Sequence, residues 1–368
     1  MKNLIKLPLI LCFLSVLACK TPISTLSALT EKDWIMTNFE KVDSLNPILS
    51  ASKTNIFTCP ILKKRVEWQN KDVFNPAVVV RGDKLYMIYR AEDTIGKFNG
   101  TSRLGLASSS DGLHFQTLEA PVFYPDNDKM NTYEWEGGCE DPRIVESKNG
   151  QYIMTYTAYD GKTARLCLAT SLDLLHWEKR GLVLGDGKYR DKWSKSGAIV
   201  AKKVGERIIA QQINGKYYMY WGDTNLFMAT SDDLIHWAAV EDKNGDLLPV
   251  LSPRTEGFDN GLVESGPYAL ITDKGILLIY NAANKGFIND PKASPENSYQ
   301  AGQALFDIKN PLSLIARMKA SFLRPDRPYE IAGQVNRVVF LEGLAYFKHK
   351  WFLYYGTADS KIGVAVKK

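Results

Sequence analysis

A two-part sequence motif occurs five times along the chain, and this repeat constrains the fold more than any other feature of the sequence. The first part opens with a turn and runs into aromatic and β-branched residues without proline, which predicts a hairpin and a central strand. The second part is a short apolar strand that ends in Ser and Asp in the three clearest copies. The copies lie roughly 60–75 residues apart, a spacing typical of propeller blades and their loops. They begin at Gly82, Asn149, Asn214, Asp273 and His349.

A third element precedes each pair and is polar at its start and apolar afterwards, which predicts an innermost strand. Sheets of this kind bury both faces only against neighbouring sheets, as the blades of a propeller do. No stretch after the N-terminus keeps a 3.6-residue hydrophobic period. We therefore predict an all-β protein with the fold of a five-bladed β-propeller, formed by residues 51–368 as a single domain.

The N-terminus is typical of an export signal. Residues 1–18 carry two lysines ahead of an apolar run, Leu7–Leu17, that is too short to span a bilayer. The run ends in Val16-Leu-Ala-Cys19, which resembles a bacterial lipobox, so we predict that Cys19 is lipidated. An ordinary secretory signal with an incidental cysteine is the alternative. Residues 19–50 predict a tether, and we expect an exported protein that is attached to the bacterial envelope by its lipid alone.

The number and positions of the histidines exclude several kinds of catalytic site. Three of the four histidines, His114, His176 and His236, occupy the same repeat position, and one active site cannot use three equivalent positions, so we expect them to be structural. No histidine-based triad, histidine-based metal site or glycine-rich phosphate loop remains. We therefore expect no metal and no cofactor. No basic run accompanies stacked aromatic residues, so we expect no nucleic-acid partner.

Carboxylates remain, and they concentrate where the innermost strands begin and where the next strands end. Several carboxylates that converge from different blades suit acid–base work on a glycosidic bond. The alternatives are turn capping and, for Glu140 or Asp141, ion pairing with Arg143 or Arg90, since a buried charge is costly unless it is paired or used. The polar residues at these positions are Glu92, Asp93, Glu140, Asp141, Asp160, Asp223, Glu264, Asn281, Asn284 and Asp359.

At these residues the chain resembles glycoside hydrolase family 130, the mannoside phosphorylases and β-mannosidases built on a five-bladed propeller. The resemblance implies that Asn75, Arg90 and Asp359 hold mannose in the −1 subsite, with Asp141 close to the reacting sugar. In phosphorylase members, the matching aspartate is the proton donor, acting through the 3-hydroxyl of the sugar. The matching segments cover about residues 65–368 and are Phe74-Asn-Pro-Ala77, Tyr89-Arg-Ala91, Ser102-Arg-Leu-Gly-Leu-Ala107, Glu140-Asp-Pro-Arg143, Leu168-Ala-Thr-Ser171 and Tyr354-Tyr-Gly-Thr-Ala-Asp359.

The chain departs from the phosphorylases on the strand after the third hairpin. Where they carry a histidine beside an arginine to bind phosphate, this chain has Tyr220-Trp-Gly-Asp223. A carboxylate and an indole at this point would repel a dianion and supply a base, which resembles the hydrolytic β-1,2-mannosidase branch. The positions that match this pair of carboxylates are Asp223 and Glu264. The sequence does not indicate which of the two is the acid and which is the base. Direct attack by water inverts the anomeric centre and predicts carboxyl oxygens about 6.5–9.5 Å apart.

We therefore predict an exo-acting, inverting glycoside hydrolase whose substrates are β-mannosides, most simply β-1,2-linked manno-oligosaccharides. A mannoside phosphorylase is the first alternative, and a non-catalytic sugar-binding propeller is the second. Furanoside hydrolases share the propeller but begin the first inner strand with a catalytic aspartate, where this chain has Asn75. The predicted catalytic residues are Asp141, Asp223 and Glu264. The predicted substrate-binding residues are Asn75, Arg90, Asp93, Glu140, Arg143, Arg165, Trp221, Asn281 and Asp359.

Overall fold

The computed structural model describes residues 29–98, 100–285 and 297–367, and their regular structure is almost entirely β. The all-β class predicted from the repeats is therefore confirmed. The helices within these ranges are single turns, and none is long and apolar enough to cross a membrane. The predicted signal peptide, residues 1–18, and the predicted lipidation site Cys19 lie outside the described residues. The helical turns are Glu31–Asp33, Asn131–Glu134 and Pro328–Ile331.

Five antiparallel sheets follow one another along the chain, and in each the first strand pairs with the second, the second with the third and the third with the fourth. Sheet 1 contains Asp72–Arg81, Lys84–Glu92, Ser102–Ser109 and Gln116–Thr117. Sheet 2 contains Gly138–Glu146, Tyr152–Tyr159, Ala164–Ser171 and Trp177–Leu182. Sheet 3 contains Ser196–Val204, Tyr217–Asp223, Asn225–Ser231 and Trp237–Ala239. Sheet 4 contains Leu262–Ser265 with Ala269–Ile271, Ile276–Ala283, Tyr299–Phe306 and Leu314–Arg317. Sheet 5 contains Val339–Phe347, Lys350–Thr357, Lys361–Lys367 and the N-terminal Glu40–Lys41.

Two strand pairs lie outside this pattern. Arg207–Ala210 pairs with the outer half of the first strand of sheet 3. Phe57–Cys59 and Lys64–Val66 form a separate hairpin ahead of sheet 1.

Consecutive sheets touch through short parallel bridges and a shared apolar interior. One buried cluster contains Leu168, Ile199, Ile279 and Leu353, which come from sheets 2, 3, 4 and 5. Sheet 5 also returns to sheet 1, because the backbone N–H of Val73 donates to the carbonyl of Ser360 at 3.3 Å. Each sheet therefore buries its faces against neighbours, as the sequence pattern requires. The bridges are Ser102 with Gly138, Glu146 with Ile209, Val200 with Ala269, and Tyr299 with Val338.

The described part of the predicted tether is packed against the domain. Trp34 is buried beside Leu277 and Leu305 of sheet 4, and Glu40–Lys41 pairs with Lys361–Lys367 as the outermost strand of sheet 5. A tether over residues 19–50 is therefore wrong for the segment that begins near residue 30. Burial of the largely apolar Trp34 ring stabilises this segment, and the backbone of Glu40–Lys41 pairs with the free edge of sheet 5.

The three repeated histidines occupy equivalent turns. Each ring Nδ1 lies 2.7–2.8 Å from the carboxylate of the aspartate three residues earlier, and each imidazole is exposed. The same aspartate accepts backbone N–H groups and so closes the turn between the third and fourth strands. The pairs are His114 with Asp111, His176 with Asp173, and His236 with Asp233.

Candidate active site

A concave pocket lies where side chains from all five sheets converge. The residues that line it are Asn75, Arg90, Asp141, Lys195, Asp223, Leu262, Glu264, Tyr299, Val335, Val338, Phe340 and Asp359. Six residues predicted for the site are thus brought together, namely Asn75, Arg90, Asp141, Asp223, Glu264 and Asp359.

Two strand bulges place Asn75 and Asp141 at the pocket. Each residue precedes a proline, Pro76 or Pro142, which cannot donate to the strand ladder, and the pairing register shifts at both places. Both residues have a φ of +48°, a left-handed conformation that Asn and Asp tolerate better than most residues. Asn75 Nδ2 donates to Asp141 Oδ1 at 2.8 Å, so the bulges of sheets 1 and 2 are tied together.

The buried guanidinium of Arg90 binds three carboxylates. Its Nη2 donates to Glu92 Oε1 at 2.7 Å and to Glu140 Oε1 at 2.9 Å. Its Nη1 donates to Asp141 Oδ1 at 3.0 Å, and its central carbon lies 4.6 Å from the ring centroid of Phe74. A planar fork held on several sides is preorganised for directional hydrogen bonds. Glu140 therefore supports Arg90 and does not itself line the pocket.

Lys195 is a second cation at the pocket, and no pattern in the sequence indicates it. Its Nζ lies 3.4 Å from Glu140 Oε2 and 3.5 Å from Asp141 Oδ2. Burial alone would raise the pKa of Asp141, but Lys195, Arg90 and the hydrogen bond from Asn75 together hold this pKa well below its usual range. Asp141 is therefore an ionised acceptor, suited to bind sugar hydroxyls.

The Glu264 carboxyl is buried and poorly paired. The residue is 5% exposed, and its Oε1 has no hydrogen-bond partner in the part of the chain that the structure describes. Arg143 Nη2 is 4.0 Å from this atom. Burial first, and then the negative charge of Asp223, raise the pKa of Glu264 to about 8. A carboxyl with this pKa keeps its proton at neutral pH, as a general acid must.

Asp223 ends the second strand of sheet 3 and is only partly buried. Its Oδ2 accepts a hydrogen bond from Trp193 Nε1 at 2.7 Å, and its Oδ1 accepts one from Thr224 Oγ1 at 3.2 Å. Trp193 itself is exposed. The pocket thus presents one solvent-accessible carboxyl, Asp223, and one shielded carboxyl, Glu264.

Asp359 and two aromatic rings complete the lining. Asp359 follows the second strand of sheet 5 with a φ of +49°. Burial raises its pKa to about 7, although Arg90 opposes the shift. The rings of Tyr299 and Phe340 have centroids 6.0 Å apart and supply apolar surface. Hydroxyl-binding groups beside aromatic surface match the two kinds of surface that a pyranose presents.

Three residues predicted to bind substrate lie away from the pocket. Asp93 is fully buried and accepts a hydrogen bond from Arg103 Nη1 at 2.6 Å. Trp221 is 1% exposed and belongs to the hydrophobic core. Asn281 bonds both backbone groups of Leu341, at 2.8 and 2.9 Å, and so joins sheets 4 and 5. A polar or aromatic residue near a strand end can point to either face of the sheet, and here these three point inward.

Two arginines that the sequence predicted to bind substrate already have partners. Arg143 is 3% exposed, donates to backbone carbonyls of sheet 4 at 2.7 and 2.8 Å, and lies 3.0 Å from a carboxylate oxygen of Glu342. Arg165 forms ion pairs of 2.7 Å with Asp160 and Asp191. Neither arginine lines the pocket.

Comparison with known families decides the class of protein. A family model, Glyco_hydro_130, described as beta-1,4-mannooligosaccharide phosphorylase, matches residues 43–368. The chain belongs to glycoside hydrolase family 130. Membership of family 130 makes it a carbohydrate-active enzyme that processes mannosides, and it confirms the resemblance drawn from the sequence segments.

Some relatives within family 130 are named as phosphorylases and others as hydrolases. A 1,2-beta-oligomannan phosphorylase of Thermoanaerobacter sp. (strain X514) is 35% identical over 319 residues, which is 83% of this chain and 94% of the relative. A glycosyl hydrolase structure from Bacteroides ovatus is 45% identical with a TM-score of 0.87, covering 91% of this chain and 95% of that chain. A third protein is 43% identical with a TM-score of 0.86, covering 91% and 95%, and its structure is described by the words "The GH130 family of mannoside phosphorylases contains glycoside hydrolases that target beta-1,2 mannosidic linkages in Candida mannan".

Proposed function

We propose that the protein is an exo-acting, inverting hydrolase that removes mannose from the ends of β-mannosides, with β-1,2-linked oligosaccharides as the substrate. One observation carries the proposal: Glu264 and Asp223 share one pocket in different environments. Glu264 is shielded with a pKa of about 8, whereas Asp223 is accessible to water. A shielded acid and an open carboxylate are the pair that inverting hydrolysis requires.

The proposed reaction uses the two carboxyls in one step. Asp223 accepts a proton from a water molecule as the water oxygen attacks the anomeric carbon. The glycosidic bond breaks as Glu264 gives its proton to the leaving oxygen. The mannose is released with inverted configuration, and proton exchange with solvent returns both carboxyls to their starting states.

The −1 mannose is held in this proposal by Asn75, Arg90, Asp141 and Asp359. Asp141 has a strongly lowered pKa, so it serves as a hydrogen-bond acceptor. Arg90 is fixed by Glu92 and two further carboxylates and donates from a set position. A pocket whose wall is closed by side chains from five sheets admits a chain end more readily than a chain middle, which supports exo action.

The charges of the pocket favour water over phosphate as the nucleophile. Its two cations, Arg90 and Lys195, are both engaged by Asp141 and Glu140. No unpaired cation occurs among the lining residues within the described ranges. A phosphate dianion near Asp223 would meet a repulsion of about 4 kcal/mol per unit charge at 4 Å for an effective dielectric constant of 20.

Phosphorolysis is the second candidate, and two observations favour it. The Thermoanaerobacter relative is named as a phosphorylase, and Lys195 presents a partly exposed ammonium group at the pocket. If phosphate were to displace the carboxylates from Lys195, it would find a cation within the pocket. A requirement for phosphate and the formation of mannose 1-phosphate would identify this reaction.

We further propose that the five sheets are the blades of a five-bladed propeller and that the protein is exported and anchored through Cys19. The parallel bridges between successive sheets, and the contact of Val73 with Ser360, support the ring arrangement. Metabolic labelling with a radioactive fatty acid tests the anchor: the protein should incorporate label, and Cys19→Ser should not.

The catalytic proposal is tested with Asp223→Asn and Glu264→Gln. Each variant should lose mannose release from β-1,2-mannobiose by about 10²–10⁴-fold, the usual contribution of an acid or a base. Asp160→Asn is the matched control, because Asp160 follows the equivalent strand of sheet 2 outside the pocket. If both pocket variants kept wild-type turnover and oligosaccharide affinity, Asp223 and Glu264 would not be the acid and base and the proposal would fail. A wild type that bound the oligosaccharide without releasing mannose would instead be a sugar-binding propeller.

A further inference from the structure

Two aromatic residues are exposed, whereas the other described aromatic residues are buried or partly buried. Among the phenylalanine, tyrosine and tryptophan residues within 29–98, 100–285 and 297–367, only Phe98 and Trp193 are exposed, at 39% and 44%. Exposing such rings forgoes burial that would stabilise the fold. Contiguous exposed aromatic surface usually marks a binding site.

The two rings are joined by a third. Trp193 and Tyr159 have ring centroids 6.2 Å apart in an edge arrangement, and Phe98 and Tyr159 have centroids 6.3 Å apart in a tilted one. We call Trp193, Tyr159 and Phe98 the aromatic strip. Packing against one another orients these rings and lowers the entropy cost of binding on them.

Two glycines make room for the strip. A side chain at Gly161 would collide with the ring of Phe98, and a side chain at Gly137 would collide with the ring of Tyr159. Gly161 has a φ of +87°, so the turn after Tyr159 also needs a residue that accepts a left-handed conformation. The rings therefore lie directly on backbone, and their outer surface stays free.

The strip begins at the catalytic pocket. Trp193 Nε1 donates to Asp223 Oδ2 at 2.7 Å, and Asp223 lines the pocket. From there the strip continues through Tyr159 to Phe98. The strip thus offers exposed aromatic surface that begins at the edge of the pocket.

We propose that the aromatic strip forms the plus subsites, binding the mannose units on the reducing side of the cleaved bond through their C–H faces. The inference rests on the proposed exo action. Spacings of 6.2 and 6.3 Å between rings suit consecutive pyranose units. Trp193, at the edge of the pocket, contacts a unit nearer to the cleaved bond than the unit that Phe98 contacts. The enzyme therefore prefers chains longer than a disaccharide.

The test is the dependence of kcat/KM on chain length. Wild-type protein, Phe98→Ala and Leu172→Ala are compared on β-1,2-linked mannobiose, mannotriose and mannotetraose. Phe98→Ala should lower the tetraose-to-biose ratio of kcat/KM by roughly three- to tenfold, the effect of one aromatic contact. Leu172→Ala should leave this ratio unchanged. Leu172 is exposed at 71% and follows the opposite end of strand Ala164–Ser171.

The outcomes separate this inference from the proposed function. Each ratio is measured with and without phosphate, so an enzyme that turned out to be a phosphorylase would still report its length dependence. An unchanged ratio in Phe98→Ala would overturn the strip, whatever the nucleophile. A change in oligomeric state of Phe98→Ala by light scattering, with an unchanged ratio, would instead assign the exposed rings to a contact between copies.

Discussion

Glu264→Gln removes the carboxyl on which the proposed chemistry depends, and its effect on stability can be worked out from the structure. Burial raises the pKa of Glu264 to about 8 from an ordinary value of 4.5. The folded protein therefore holds a proton that the unfolded chain has already released between these two pH values. By linkage, wild-type stability falls as pH rises through this window. The full loss is about 5 kcal/mol, at about 1.4 kcal/mol for each pH unit between the two pKa values.

Urea unfolding at pH 5 and pH 9.5 measures this loss. Between the two conditions, the free energy of unfolding of the wild type should fall by up to about 5 kcal/mol more than that of Glu264→Gln. Other titrating groups are common to both proteins and cancel in the difference. Glu178→Gln, at an exposed carboxyl, should follow the wild type. Parallel pH dependence in the wild type and Glu264→Gln would refute the shielded, protonated Glu264.

The same group should control the rate at high pH. With β-1,2-mannobiose, kcat/KM of the wild type should fall above pH 8, because ionised Glu264 cannot protonate the leaving oxygen. With β-mannosyl fluoride, whose leaving group needs no proton, this alkaline limb should disappear and Glu264→Gln should keep its activity. An alkaline limb that is the same for both substrates would assign the acid to another residue.

Three further substitutions test the remaining parts of the site. Asp223→Asn should lose about 10²–10⁴-fold in mannobiose hydrolysis, and azide should restore turnover with α-mannosyl azide as the product, detected by NMR; rescue of Glu264→Gln instead would exchange the two roles. Arg90→Met should lower the free energy of unfolding by about 3–5 kcal/mol, since it leaves buried carboxylates unpaired, and an unchanged urea midpoint would contradict the network. Asn281→Ala should lower stability by about 1–3 kcal/mol by freeing the backbone of Leu341 without raising KM, whereas a raised KM would restore its predicted role in substrate binding.

The predicted residues that the structure brings to the pocket share one property: the backbone determines their position. Asn75 and Asp141 each precede a proline at the start of an inner strand, so a bulge at that point follows from the missing N–H. Asp223, Glu264 and Asp359 lie at strand ends that the repeat locates within a residue or two. A proline next to a residue and the position of a residue within a repeat are both local features, so they can be recognised in a single sequence.

The predicted substrate-binding residues that lie away from the pocket differ from the others in the direction of their side chains. Asp93, Trp221 and Asn281 satisfy the same strand-end pattern, but Asp93 binds Arg103 of the neighbouring strand, Trp221 packs into the core and Asn281 bonds to the next sheet. Lys195 and Trp193 were missed because they lie in the irregular segment before sheet 3, where no second copy offers a comparison. The face of a sheet that a side chain takes depends on the partners that folding brings to it, and the repeat does not encode these partners.

The nucleophile is the central claim, and product analysis by NMR tests it most directly. The protein is incubated with β-1,2-mannobiose in the presence and absence of phosphate, and the first-formed sugar is observed before mutarotation. Hydrolysis with inversion predicts α-mannose at the same rate in both samples, with no mannose 1-phosphate. Formation of mannose 1-phosphate only when phosphate is present would contradict the account.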